Sequence, residues 1–166
     1  ALAGSWGVQV RDDMVVDPMS RLLGMSPTMP LVTYSAEHVT TKDLGNNPSL
    51  LSLVSSLVVK EKTDFKFEVL AQTSDQSWSE ANFRSGQAKK DSEDAPGPLN
   101  LVVAVEGVNP ATNKTRLVIA GDSDFMTNQV INFNGNLDFS LNLISWIAGQ
   151  DEAKLGIRPK DSGVEN

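Results

Sequence analysis

Apolar positions along the chain form short runs of β type up to residue 120 and a helical stripe after residue 136. Residues 1–7, ALAGSWG, read as the end of a helix stopped by Gly7. The runs Val8–Val10 and Met14–Val16 follow, parted by the turn Arg11-Asp12-Asp13. Asp17-Pro18 ends the second run, because proline cannot donate to a strand ladder and restricts the residue before it. After a loop rich in Met, Ser and Pro, residues 31–34 are the next β candidate. Residues 50–58 carry Leu50, Leu51, Leu53, Val54, Leu57 and Val58 between serines, a spacing that suits a buried helical face or a short strand equally.

Residues 66–70 alternate as a strand and run into the polar stretch 72–78. Residues 85–98, with Ser85-Gly86, a mixed charge cluster and Pro96-Gly97-Pro98, read as loop. Residues 99–105 and Arg116–Ala120 are nearly continuous apolar runs. The turn-prone Gly107, Asn109, Pro110 and Asn113 between them leave too little chain for a helical crossover, so the two predict a hairpin. Residues 117–120 further read as a strand buried on both faces, interior to a sheet covered by helices.

Beyond this point the period changes. Leu137, Leu141, Ile144 and Ala148 fall at i, i+4, i+7 and i+11, with Leu143 and Ile147 widening the stripe, Asn136 as N-cap and Gly149 as stop. The spacing predicts an amphipathic helix over 137–148 that lays this stripe on the sheet. Residues 155–160 suit one further edge strand, and 161–166 read as a disordered tail. The sum is one α/β domain over residues 1–160.

Composition narrows the chemistry. At 166 residues the chain can bury a core without disulfides or metal. Its 14 basic and 21 acidic residues give a net charge of -7, and the one basic cluster, Lys89-Lys90, sits beside Asp91, Glu93 and Asp94, so nucleic acid is not an expected partner. Zero cysteines remove thiol nucleophiles, thiolate metal sites and disulfides, and a single histidine removes multi-histidine sites. Neither a metal nor a cofactor is expected. No apolar run reaches the length of a membrane span. The start at Ala1, without an initiator Met, reads as a piece of a longer protein.

Three constellations remain as candidates. Asp122 and Asp124, with Asn128 nearby, follow the apolar run Arg116–Ala120, at the carboxyl edge where open α/β sheets bind ligands; the alternative is that Asp122 caps the next turn and Asp124 holds loop backbone. The same carboxylates could ligate a hard cation only with further oxygen donors than this loop supplies. Ser74 and Ser77, with Trp78 as a wall, follow the strand near Leu70 and line a pocket or merely build a turn. His38 lies in a polar loop after residues 31–34. A Ser74–His38–Asp122 triad can be written, but the chain has no G-x-S-x-G elbow.

Six pieces in order carry a family resemblance: W-G-V-x-V at 6–10 with V-V-D-P at 15–18, H-V-T-T at 38–41, Q-T-S-x-x-S-W at 72–78, R-L-V-I-A-G-D-S-D-F at 116–125, and N-L-I-S-W-I-A-G at 142–149. Over nearly its whole length the chain resembles the auxiliary component of uncharacterised ABC-type transport systems, a group that includes a gliding-motility-associated protein. The resemblance implies an extracytoplasmic domain, its parent anchored in the inner membrane, with ABC permease and ATPase subunits as partners. It implies a three-layer sandwich similar to the flavodoxin-like and class I glutamine amidotransferase folds, with a mostly parallel sheet. Amidotransferase chemistry needs a cysteine nucleophile that this chain lacks, and the family's H-P-I-T stands here as His38-Val39-Thr40-Thr41.

The functional expectation is a non-catalytic auxiliary domain binding a partner protein or an envelope ligand such as a glycan. Hydrolysis of a small or saccharide substrate by Asp122 and Asp124 is the alternative, and a pure interaction module docking through an edge strand is a third reading. If the strands ending near Leu70 and Ala120 are parallel in one sheet, Ser74, Trp78, Asp122 and Asp124 share a rim.

Overall fold

The computed structural model describes residues 2–86, 88–112 and 115–150. The expected opening helix is there as α1 (Leu2–Ser5), and Gly7 follows it at φ 81, in the left-handed region that favours glycine. A Cβ at Gly7 would also meet the carbonyl of Lys60 and the ring of Phe67. The strands are β1 (Val8–Val10), β2 (Met14–Val16), β3 (Thr33–Tyr34), β4 (Leu57–Val59), β5 (Phe65–Gln72), β6 (Trp78–Glu80), β7 (Ala95–Pro96), β8 (Asn100–Gly107) and β9 (Arg116–Ala120). One longer helix, α2 (Asn136–Ile147), follows them.

The main sheet runs β1-β4-β8-β5-β3, with β9 beside β8 on the side that β4 also touches; β2-β6-β7 form a second, three-stranded sheet. Every ladder among the described residues is antiparallel. This overturns the flavodoxin-like or amidotransferase-like sandwich on a mostly parallel sheet. Parallel neighbours need a crossover of a dozen or more residues. Here residues 108–115 close β8 onto β9 as the predicted hairpin, and the chain between β5 and β8 is spent on β6 and β7 in the other sheet.

The strand buried on both faces is β8, not the segment 117–120. Val103 and Val105 face a core with Val8, Leu57 and Ile119, while Val102 and Ala104 face a second core with Leu51, Val54, Leu70, Phe139 and Trp146. Among the described residues β9 pairs with β8 alone and stands at the edge of the sheet. Of the ambiguous stretch 50–58 only the end enters a strand, β4; the rest is irregular, with Leu50 bridged to Leu31. In the stretch 85–98, read as loop, β7 adds two residues to the second sheet.

α2 sits where the period placed a helix but buries a different face, with Leu143 the one member of the expected stripe that is buried. Phe139, Leu143 and Trp146 are buried, whereas Leu137, Leu141, Ile144 and Ile147 are exposed. Asn136 is the first helical residue rather than its cap: its buried side-chain amide receives Leu50 N–H at 2.8 Å and donates to the carbonyls of Leu50 and Val130. Gly149, at φ 68, ends the helix as expected. The edge strand read for residues 155–160 and the tail 161–166 lie outside the described residues.

Candidate functional site

β5 and β9 are each antiparallel to β8, so they run in the same direction although they are not neighbours. Gln72 lies opposite Asn100 and Ala120 opposite Val102, which puts both carboxyl ends at the start of β8. Ser74, Ser77 and Trp78 follow one of them, and Asp122, Asp124 and Asn128 follow the other. The shared rim exists, by an antiparallel route rather than a parallel one.

Asp17 organises one half of that rim. It is 1% exposed at the end of β2, where Pro18 stops the strand and opens a 3-10 helix, Pro18–Leu23. Its Oδ1 accepts from Met19 N–H at 3.0 Å and from the Ser74 hydroxyl at 2.7 Å, and its Oδ2 accepts from Ser74 N–H at 3.0 Å. The Ser74 hydroxyl has one proton and spends it on Asp17, while its oxygen receives Gln76 N–H. Ser77 Oγ donates to Ser74 C=O at 2.8 Å, so the 2.6 Å contact between the two hydroxyls has Thr73 as donor. Thr73 Oγ1 in turn accepts from Leu99 N–H at 2.8 Å. Trp78 opens β6, half-buried, and its indole N–H points to Glu80 at 3.4 Å.

The other half is built the same way. Asp122 is half-buried; its Oδ1 accepts from Asp124 N–H at 2.8 Å and its Oδ2 from Ser52 N–H at 3.2 Å. It thus fixes its own turn and ties it to the irregular segment before β4. Asp124 and Asn128 are exposed in the loop beyond. Gly121 must be glycine for a steric reason, since a Cβ there would overlap the carbonyl of Ser55.

His38 is not on this rim. After β3 the chain turns toward the opposite end of β5, where His38 meets Lys66, Glu68, Glu106 and Trp146 around a space of about 30 Å³. Lys66 is six residues from Gln72 along β5, roughly 20 Å at strand rise. The Ser74–His38–Asp122 triad is therefore not assembled. Thr40 N–H donates to His38 Nδ1 at 3.3 Å, which makes Nδ1 an acceptor and Thr40 Oγ1, at 2.8 Å, a second donor to it.

Three buried carboxylates were not singled out from the sequence: Asp13, Asp17 and Glu80. Asp13 accepts from Ser56 N–H and hydroxyl and pairs with Arg11 at 3.3 Å; Glu80 accepts from Asn82 and Lys89 N–H. Only Asp17 carried a local signal, the Asp-Pro step before a turn; the other two depend on partners distant in sequence or in a loop. Among the described residues no three His, Cys, Asp or Glu side chains gather as metal ligands. Burial pushes the Tyr34 phenol up to about 12, and its hydroxyl donates to Ser49 Oγ at 2.6 Å. The Arg84 guanidinium, hydrogen-bonded to Asp12, holds that carboxyl below its ordinary value.

Beside the Asp17 half of the rim, the surface left open to solvent is apolar. The helix Pro18–Leu23 exposes Met19 (43%), Leu22 (75%) and Leu23 (67%) beside a cleft of about 270 Å³, with Leu31 as a further apolar wall and Asp17 and Ser74 among its polar members. No helix among the described residues is long and apolar enough to cross a membrane.

Neither the curated proteins nor the solved structures give a match to this chain. The model of the family described as ABC-type uncharacterized transport system, an auxiliary-component family, matches residues 1–143.

Proposed function

The chain belongs to the auxiliary-component family of ABC-type uncharacterized transport systems, and on that premise we propose that it is a non-catalytic domain that docks a protein partner of such a system at the rim. The observation that carries this reading is a division of labour among the side chains around the cleft and the turns that hold it, Asp124 and Asn128 standing exposed in the loop beyond them. The hydroxyls and carboxylates of Asp17, Ser74, Ser77 and Asp122 are engaged in holding loops together. Met19, Leu22 and Leu23 are left exposed beside the cleft. A catalytic site needs polar groups free to meet the reacting atoms, and a glycan site needs convergent free donors and acceptors. An apolar lip around a cleft suits side chains of another protein instead.

The permease and ATPase subunits of the same system are the partners this reading names, and the extracytoplasmic side is where it places the domain. The tie to gliding motility in particular rests on the resemblance alone. The experiment is a titration of the purified chain against the detergent-purified permease–ATPase complex and, in parallel, against soluble envelope glycan fragments. Saturable binding to the complex and none to the glycans is expected. Glycan binding without complex binding, or hydrolysis of the glycans abolished in an Asp122→Asn variant, would overturn the proposal.

A further inference from the structure

α2 is apolar on two faces, and the second one has a direction. Leu137, Leu141 and Ile144, exposed by 38%, 42% and 52%, stand at i, i+4 and i+7, within about 60° of one another around the helix. Asp138, Asn142 and Ser145 form the polar face. Asn142 Nδ2 donates to Thr40 C=O at 2.9 Å, in the loop after β3, the strand outside β5. The helical wheel sets the Leu137–Leu141–Ile144 stripe on the other flank of the buried face, so it looks toward β9.

Among the described residues β9 is open on that same side. Gly121 N–H bonds Leu101 C=O, and Gly107 N–H bonds Thr115 C=O, which fixes the alternation of the β8–β9 ladder. Arg116, Val118 and Ala120 therefore turn their N–H and C=O groups away from β8, and no described residue pairs with them. Exposed edges are ordinarily short, bulged or guarded by Lys or Pro. The other edge strands here fit that rule: β3 and β7 have two residues each, β7 with Pro96, and β1 and β2 have three. β9 has five, mostly apolar, with no Pro, no Lys and an unbroken register.

We propose that the β9–α2 side is a two-fold interface with a second copy of this chain, β9 pairing antiparallel with its mate while the two Leu137–Leu141–Ile144 stripes meet over the joined sheet. Self-complementarity is the reason for choosing a second copy. A two-fold axis at Val118 sets Val118 opposite Val118 and Arg116 opposite Ala120, so all outward-facing groups find partners and no like charges are opposed. A chain of net charge -7 resists association over most of its surface. On β9 and the stripe the one charged side chain is Arg116, already paired with Glu106 at 3.2 Å. A helix alone would leave the strand edge open, and a strand alone would leave the stripe bare. The second copy covers both.

This surface is separate from the cleft beside Leu22 and Leu23, so each proposal can fail without the other. Sedimentation equilibrium of the chain from about 1 to 200 µM, with amide hydrogen exchange at both ends of that range, tests it. The expected result is a monomer–dimer equilibrium in which the Val118 and Ala120 amides are protected only at high concentration. Leu141→Glu with Ile144→Glu should raise the dissociation constant at least about tenfold. A monomer at 200 µM, or a dimer indifferent to the double variant, overturns it. So does a monomer whose outward β9 amides are protected until residues 151–166 are removed, since the chain's own C-terminal segment would then be the occupant.

Discussion

Truncating α2 one side chain at a time separates its two apolar faces. Leu143 is 2% exposed and Phe139 is fully buried, its ring 5.1 Å from Tyr34 and 5.8 Å from Phe125. Removing a buried leucine to Ala costs about 2–5 kcal/mol and a buried phenylalanine about 3–5 kcal/mol, the cavity left behind adding to the lost transfer energy. Each ring pair supplies a further ~0.5–1.5 kcal/mol that Phe139→Ala also forfeits. Leu141→Ala and Ile144→Ala remove atoms that face water in the monomer, and each should cost under about 1 kcal/mol. Urea unfolding followed by far-UV circular dichroism at about 1 µM keeps self-association out of the comparison. For a chain this size a loss of about 3 kcal/mol also lowers Tm by about 6–12 °C. Equal losses at all four positions, or larger losses at Leu141 and Ile144, would refute the assignment of faces.

Asp17→Ala strips three hydrogen bonds from a buried carboxylate and leaves Ser74 and Met19 N–H groups short of an acceptor; a loss of about 3–5 kcal/mol is expected in the same assay, and a loss below about 1 kcal/mol would contradict its organising role. Tyr34 is the single tyrosine of the chain, so tyrosinate absorbance reports it directly. Its midpoint should lie near 12, and because the unfolded phenol ionises near 10 the folded state holds the extra proton between those values. Stability is therefore intact below pH 10 and falls as pH rises toward 12, a slope that Tyr34→Phe should flatten; a midpoint near 10 would contradict the burial. Chelation by EDTA should leave Tm unchanged, and a drop restored by Ca²⁺ would make ligands of Asp122 and Asp124.

Local chemistry was legible where a residue type decides a conformation. Gly7 and Gly149 stop helices at positive φ, Asp17-Pro18 ends β2, and the turn-rich stretch before Thr115 closes the β8–β9 hairpin. The sheet's direction was not legible, because it depends on which distant strands pair. An apolar run such as β9 reads the same whether it is central or at an edge. The rim was foreseen through parallel strands and arises instead from two strands antiparallel to β8. The buried face of α2 is not legible from the pattern, because Leu137, Phe139, Leu141, Leu143, Ile144, Trp146 and Ile147 supply two stripes and period alone cannot choose between them. Asp122 holds its own turn, which fits the capping reading open from its sequence context.

The docking role stands or falls on one affinity comparison. The chain, a Leu22→Asp/Leu23→Asp variant and an Asp122→Asn variant are titrated against the permease–ATPase complex of the same system. Burying an exposed leucine is worth about 1.5–3 kcal/mol, so losing two should weaken binding roughly 10²-fold or more. Asp122→Asn, which alters a loop-holding group, should bind as the unmodified chain does. Undiminished binding by the double leucine variant, with binding lost in Asp122→Asn, would contradict the account and return the site to the polar rim.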